Sequence, residues 1–96
     1  MKSTNDQKKK MTDQELNKAI GNRITSIRKR ADLTQQDMAD KLGMTKITYN
    51  RIETGAVVIP AVKLVAIAEV LGKDVSVFFT FASKLDVIAT MEGGGV

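Results

Sequence analysis

The sequence predicts an all-α, five-helix domain. Three observations carry this expectation. Apolar residues recur mostly at helical spacing, capping residues precede the apolar runs with glycines ending several of them, and the one proline falls at a helix start. A chain of 96 residues has room for one such domain with short flanking segments. Its core is small for its surface, so it must be efficient or shared with a partner.

The run "MTDQEL" opens the first helix, about 13–30. Thr12 is its N-cap, Glu15 closes a capping box three residues on, and Met11 and Leu16 flank them as a hydrophobic staple. Leu16, Ile20, Ile24 and Ile27 form one apolar stripe. Gly21 weakens that helix by about 1 kcal/mol relative to alanine, and suits close approach by a neighbour. Asp32 tolerates the following turn. Thr34 caps a second helix, with Asp37 at N3 favoured by the dipole. Met38, Ala39 and Leu42 face inward, and Gly43 can end the helix in the left-handed conformation. Thr45 caps a third helix, about 46–53, with Tyr49 and Ile52 inward. "TGAVVI" is a loop, and Pro60 fits the first turn of a fourth helix. That helix runs to Leu71, with Leu64, Ile67, Ala68 and Leu71 inward, and Gly72 stops it. "KDVSVFF" reads as a short fifth helix on Val75, Phe78 and Phe79. The tail 80–96 supports two readings. Alternation of Phe81, Ser83, Leu85 and Val87 fits a strand; Ser83 as cap with Leu85, Ile88 and Ala89 fits a short helix, which is favoured. The expected organisation is a flexible basic arm over 1–11, a domain over 12–79, and a tail over 80–96 that forms a short helix or a dimerisation segment.

Composition narrows function. Neither cysteine nor histidine occurs, which excludes disulfides and thiolate metal sites and removes the commonest general base. No carboxylate cluster appears either, so the chain is expected to be no enzyme and to need no cofactor or metal. The N-terminus is polar throughout, and the most apolar stretch, "AVVIPAVKLVAIAEVLG", is interrupted and too short to span a bilayer. A cytoplasmic protein without a membrane segment is expected. The net charge of +4 is unevenly spread: residues 1–51 carry twelve Lys/Arg against six Asp/Glu, and residues 52–96 three against five. Such asymmetry fits one face turned to a polyanion, although scattered surface charge explains it equally well.

The stretch "TQQDMADKLGMTKITYNRIE" is the most informative. A small residue at 39, a glycine at 43 and apolar residues at 49 and 52 have the offsets of a helix-turn-helix. On a helical wheel Tyr49, Ile52 and Glu53 share one side of the third helix. Ile47, Asn50, Arg51 and Thr54 occupy the other, with Lys46 at the exposed N-terminal end. Lysine and arginine can donate to guanine or phosphate, asparagine can pair with adenine, and isoleucine can touch a thymine methyl.

Here "IGNRITSIRKRADLTQQDMADKLGMTKITYNRIETG" followed by "KLVAIAEVLGKDVSVFF" resembles the lambda-repressor-like, Cro/repressor-type helix-turn-helix domain of the Xre family. The likeness covers about residues 20–79. It rests on Arg28, Thr34-Gln35, Ala39, Gly43, Ile52-Glu53 with Gly55, and Ala68 with Leu71-Gly72. The resemblance implies that the third helix enters a major groove, with Lys46, Ile47, Asn50 and Arg51 facing bases. It implies phosphate or first-base contacts for Gln35 and Thr45, and an architectural ion pair of Arg28 with Glu53. Three positions depart from the pattern. Tyr49 replaces a smaller aliphatic residue, so its ring is expected to tilt the helix or send its hydroxyl toward DNA. Lys73 stands where an apolar residue is commoner, and "AVVI" occupies a loop that is usually polar and basic.

Blander readings stand beside these. Thr12, Thr34 and Thr45 are caps first, each contributing roughly 1 kcal/mol. Lys8–Lys10 reads first as a solubilising run and second as an arm that tracks phosphates. Val57, Val58, Ile59, Val62 and Val77 exceed what one small core can hide. With Val75 and Phe78 they are the candidates for a symmetric dimer interface; the competing reading folds the tail over them in a monomer. The expected function is therefore a sequence-specific double-stranded-DNA-binding transcriptional regulator, a repressor acting as a homodimer. The alternative is an antitoxin or adaptor-type module that binds a protein partner, a toxin or another regulator, and also regulates its own synthesis.

Overall fold

The structure, a computed structural model, describes residues 11–79. The expected arm with Lys8–Lys10 and the whole tail 80–96 lie outside the described residues. The first helix, α1 (Asp13–Arg30), starts at the expected capping box. The Glu15 N–H donates to the Thr12 hydroxyl at 3.1 Å, and the Thr12 N–H donates to the Glu15 carboxylate at 2.8 Å. Two otherwise orphaned donors are satisfied this way. Basic residues Arg28, Lys29 and Arg30 fill its last turn, where the dipole favours cations. The turn that follows puts Asp32 at φ 60°, a conformation that aspartate tolerates better than most side chains.

Helix α2 (Gln35–Leu42) carries a full reciprocal box too, with aspartate in place of glutamate. The Asp37 N–H donates to Thr34 Oγ1 at 2.9 Å, and the Thr34 N–H donates to Asp37 at 2.8 Å. The bond from the Thr34 backbone holds the Asp37 carboxyl below the ordinary range. Thr34→Ala is expected to lower stability by about 1 kcal/mol, read as the midpoint of denaturant unfolding; an unmoved midpoint would mean the box contributes nothing. Gly43 closes the helix at φ 69°, and the Met44 N–H returns to the Ala39 carbonyl at 2.9 Å. That left-handed residue turns the chain sharply enough for α3 (Lys46–Thr54) to begin three residues later.

Helix α4 (Ala61–Leu71) begins one residue later than expected, with Pro60 at the cap position, where its fixed φ of −61° suits the entry. The fifth helix is corrected. Val75–Phe79 is a five-residue 3-10 segment, so the described residues form four α-helices. Asp74 accepts from the Ser76 N–H at 2.9 Å, and the Val77 N–H bonds to the Asp74 carbonyl at 3.1 Å, a three-residue spacing. A segment of five residues is too short to sustain an α-helix by itself; Phe78, fully buried, anchors the turn instead.

Packing positions α3. It lies against both α1 and α2, while α4 packs on α2 and the 3-10 segment on α1 and α4. The core joins Ile24 and Ile27 of α1 to Met38 and Ala39 of α2, Tyr49 and Ile52 of α3, and Leu64, Ile67, Ala68 and Leu71 of α4. Ile59 and Phe78, expected among the dimer candidates, belong to this core at 8% and 0% exposure and are corrected. No helix among the described residues is long and apolar enough to cross a membrane.

Candidate nucleic-acid interface

The inner edge of α3 ends in a buried polar cluster. Glu53 is 4% exposed and accepts five hydrogen bonds. Arg28 donates Nε to Oε2 at 2.6 Å and Nη2 to Oε1 at 3.1 Å. Thr25 and Gln35 donate to Oε1 at 2.9 and 3.0 Å, and the Tyr49 hydroxyl donates to Oε2 at 2.5 Å. Arg28 also donates to the Leu33 carbonyl at 2.7 Å, tying the α1–α2 turn to the same centre. Burial would raise the Glu53 carboxyl, but the bonds from Arg28, Tyr49, Gln35 and Thr25 outweigh it and hold the group below the usual carboxylate range. Burial, then the bond to Glu53, push the Tyr49 phenol well above its ordinary value. The phenol therefore stays a neutral donor.

This geometry corrects one of the two expectations for Tyr49, the hydroxyl sent toward DNA. Its ring is fully buried and its hydroxyl turns inward to Glu53, not outward. A tyrosine one helical turn before a glutamate falls on the same helix face, and a buried hydroxyl takes a nearby acceptor rather than go unpaired. Thr25 was missed by sequence reasoning. Its only signal was its place three residues before Arg28, on the same side of α1.

The opposite edge of α3 is open. Lys46, Ile47, Thr48, Asn50, Arg51 and Thr54 are exposed, with Ile47 at 66%, while Tyr49, Ile52 and Glu53 of the same helix are buried. Gln35, Lys46, Ile47, Asn50 and Arg51 line one shallow hollow of about 470 Å³. Thr45 lies at the N-terminus of α3 beside it; its hydroxyl accepts from the Thr48 N–H at 3.1 Å and donates to the Thr48 hydroxyl at 2.9 Å. Gln35 connects the two edges, donating to Glu53 and accepting from the Asn50 amide at 3.3 Å. Among the described residues the one ion pair is Arg28 with Glu53, so Lys46 and Arg51 have no carboxylate partner there. The hollow offers two cations, two amides and an exposed isoleucine.

The remaining interface candidates divide. Val57, Val58 and Val62 are exposed at 38%, 76% and 78%, joined by Val65, which sequence reasoning missed. Val75 and Val77 are half-buried against the core. Among the described residues no group of three metal-ligating side chains occurs.

Comparison with known proteins places this geometry. A helix-turn-helix family model matches residues 24–78, more than half of the chain. The fold is similar to the crystal structure of the clp gene regulator ClgR from C. glutamicum, with a TM-score of 0.67 and 20% sequence identity. The match covers 72% of this chain and 90% of that one, and at this identity it is a likeness of fold. No curated protein sequence matches.

Proposed function

Since the chain belongs to the Xre-like helix-turn-helix family of DNA-binding transcriptional regulators, we propose that it reads a specific duplex sequence through α3, as a homodimer that represses transcription in the cytoplasm. One observation supports this best. Four side chains of α3 and Gln35 of α2, all able to meet bases or phosphates, line one open hollow, and the other edge of α3 is clamped by α1 and α2. Lys46 and Arg51 supply charge for phosphates or guanine, Asn50 suits adenine and Ile47 a thymine methyl. Gln35 and Thr45 sit at helix N-termini, where backbone N–H groups favour phosphate.

Selection from a random duplex pool tests the proposal. One enriched palindromic motif is the expected result, and an unenriched pool would sink it. Arg51→Ala is expected to relax base preference at one position by about 1–3 kcal/mol. Competition binding across the four base pairs there measures it; equal weakening on every sequence would assign Arg51 to phosphate alone.

For the homodimer, exposed Val57, Val58 and Val62, together with the half-buried Val75 and Val77, are the proposed contact. Two-fold pairing would set recognition helices about 34 Å apart, one turn of duplex. Val62→Lys is expected to shift the protein toward monomer in sedimentation, and an unchanged dimer would remove this surface from the interface. The same exposed valines favour a second reading, in which they seat a protein partner such as a toxin or another regulator. That reading gains if Val62→Lys releases a co-purifying protein while leaving the oligomeric state intact.

A further inference from the structure

We propose that the buried Glu53 cluster governs base choice by fixing which end of the Asn50 amide faces the groove, with Gln35 as the relay. This rests on α3 being the groove-facing helix, and specifies how one of its residues selects a base.

Donor and acceptor chemistry alone fixes the orientation of both amides. An ionised carboxylate accepts hydrogen bonds and donates none. Arg28 donates to both oxygens of Glu53, which keeps it ionised. The Gln35 amide meets Oε1 at 3.0 Å, so the group facing Glu53 must be its NH₂, and its carbonyl must point away. That carbonyl lies 3.3 Å from the Asn50 amide nitrogen. A carbonyl only accepts, so Asn50 in turn must present NH₂ to Gln35. Turning either amide over would press two oxygens together. The polarity of a buried acid is thus passed through two neutral side chains to the surface.

Asn50 is left with Oδ1 and one N–H for the groove. Adenine offers an N6 donor beside the N7 acceptor, whereas guanine offers two acceptors. An asparagine locked in this sense meets adenine with two bonds and sets oxygen against oxygen on guanine. An asparagine free to turn can place its NH₂ on guanine. Discrimination of adenine from guanine therefore depends on the lock as well as on the residue. Gln35 is a positioning residue, and Tyr49 and Thr25 complete the acceptor sites of the acid that orients it.

The test uses the full chain and duplexes selected by the wild-type protein from a random pool. The relevant base pair is the one whose preference Asn50→Ala abolishes. Wild type is expected to favour adenine over guanine there by about tenfold or more, and Gln35→Met to cut this to about threefold or less. Preferences at other positions stay near wild type, and any general loss of affinity or of thermal midpoint falls on all duplexes alike and cancels in the adenine-to-guanine ratio. Gln35→Lys can still donate to Glu53 but gives Asn50 no acceptor, and is expected to behave as Gln35→Met does. In the Asn50→Ala background neither substitution changes the residual preference. The proposal is overturned if both Gln35 variants keep the adenine preference, if they alter it without Asn50, or if Asn50→Ala abolishes none. A pool without any motif removes the DNA-reading assignment and this proposal together; a motif indifferent to Gln35 removes the proposal alone.

Discussion

Gly21→Ala is expected to destabilise the domain by about 3 kcal/mol, at the upper end of what overpacking costs. A Cβ at position 21 would lie 2.3 Å from the Glu53 carbonyl oxygen and 2.8 Å from that of Ile52. Both are backbone atoms of α3, so no rotamer change relieves the clash and the two helices must separate. Helix propensity alone predicts the reverse, a gain of about 1 kcal/mol for alanine in a helix interior. The sign of the change therefore decides between the two effects. Urea unfolding of Gly21→Ala beside Asn22→Ala, an exposed neighbour on the same helix, measures it. A Gly21→Ala protein as stable as wild type would mean that α1 and α3 do not touch here. Because α3 carries the hollow, the same variant is expected to lose DNA affinity before it unfolds.

Arg28→Ala is the other large effect, about 3–5 kcal/mol, because it leaves a buried carboxylate without its counter-charge. Tyr49, Thr25 and Gln35 still donate to Glu53, but none of them neutralises it. Replacing Arg28 and Glu53 together with methionine is expected to cost less than Arg28→Ala alone, since no charge is then stranded. The loss also depends on pH with a definite sign. In the folded wild type the Glu53 carboxyl titrates below its ordinary range. Its contribution is therefore fully present above the unfolded value of about 4.3, and fades as pH falls through the lower folded value. Without Arg28, burial dominates and Glu53 takes up its proton at higher pH. The stability gap between wild type and Arg28→Ala should be widest near neutrality and narrow in acid. Unfolding at neutral pH and at about pH 3 measures it; a constant gap would show that Glu53 is not the charge involved.

Much of the scaffold was legible because it is built from local rules. Thr12 with Glu15 and Thr34 with Asp37 mark helix starts through bonds spanning three residues. Leu64, Ile67, Ala68 and Leu71 mark a buried helix face through spacing alone. The wheel of α3 divides as its residues imply, because burial on a short helix clamped along one edge follows the 3.6-residue period. Local rules failed where the decision was not local. Valine spacing cannot tell one 3-10 turn anchored by Phe78 from an α-helix. Nor can it tell that Ile59 joins the core while Val58, next to it, stays in solvent.

Residue pattern alone fixes the helix starts after Thr12, Thr34 and Thr45 and divides α3 into an inward and an outward edge. It took the packing of α1, α2 and α3 against one another to bring Thr25 to Glu53 and to make Gln35 the link between the buried acid and Asn50. These partners lie as far apart in sequence as Thr25 and Glu53, 28 residues. A hydrogen bond between such residues depends on how two helices cross, which periodicity within either helix does not encode.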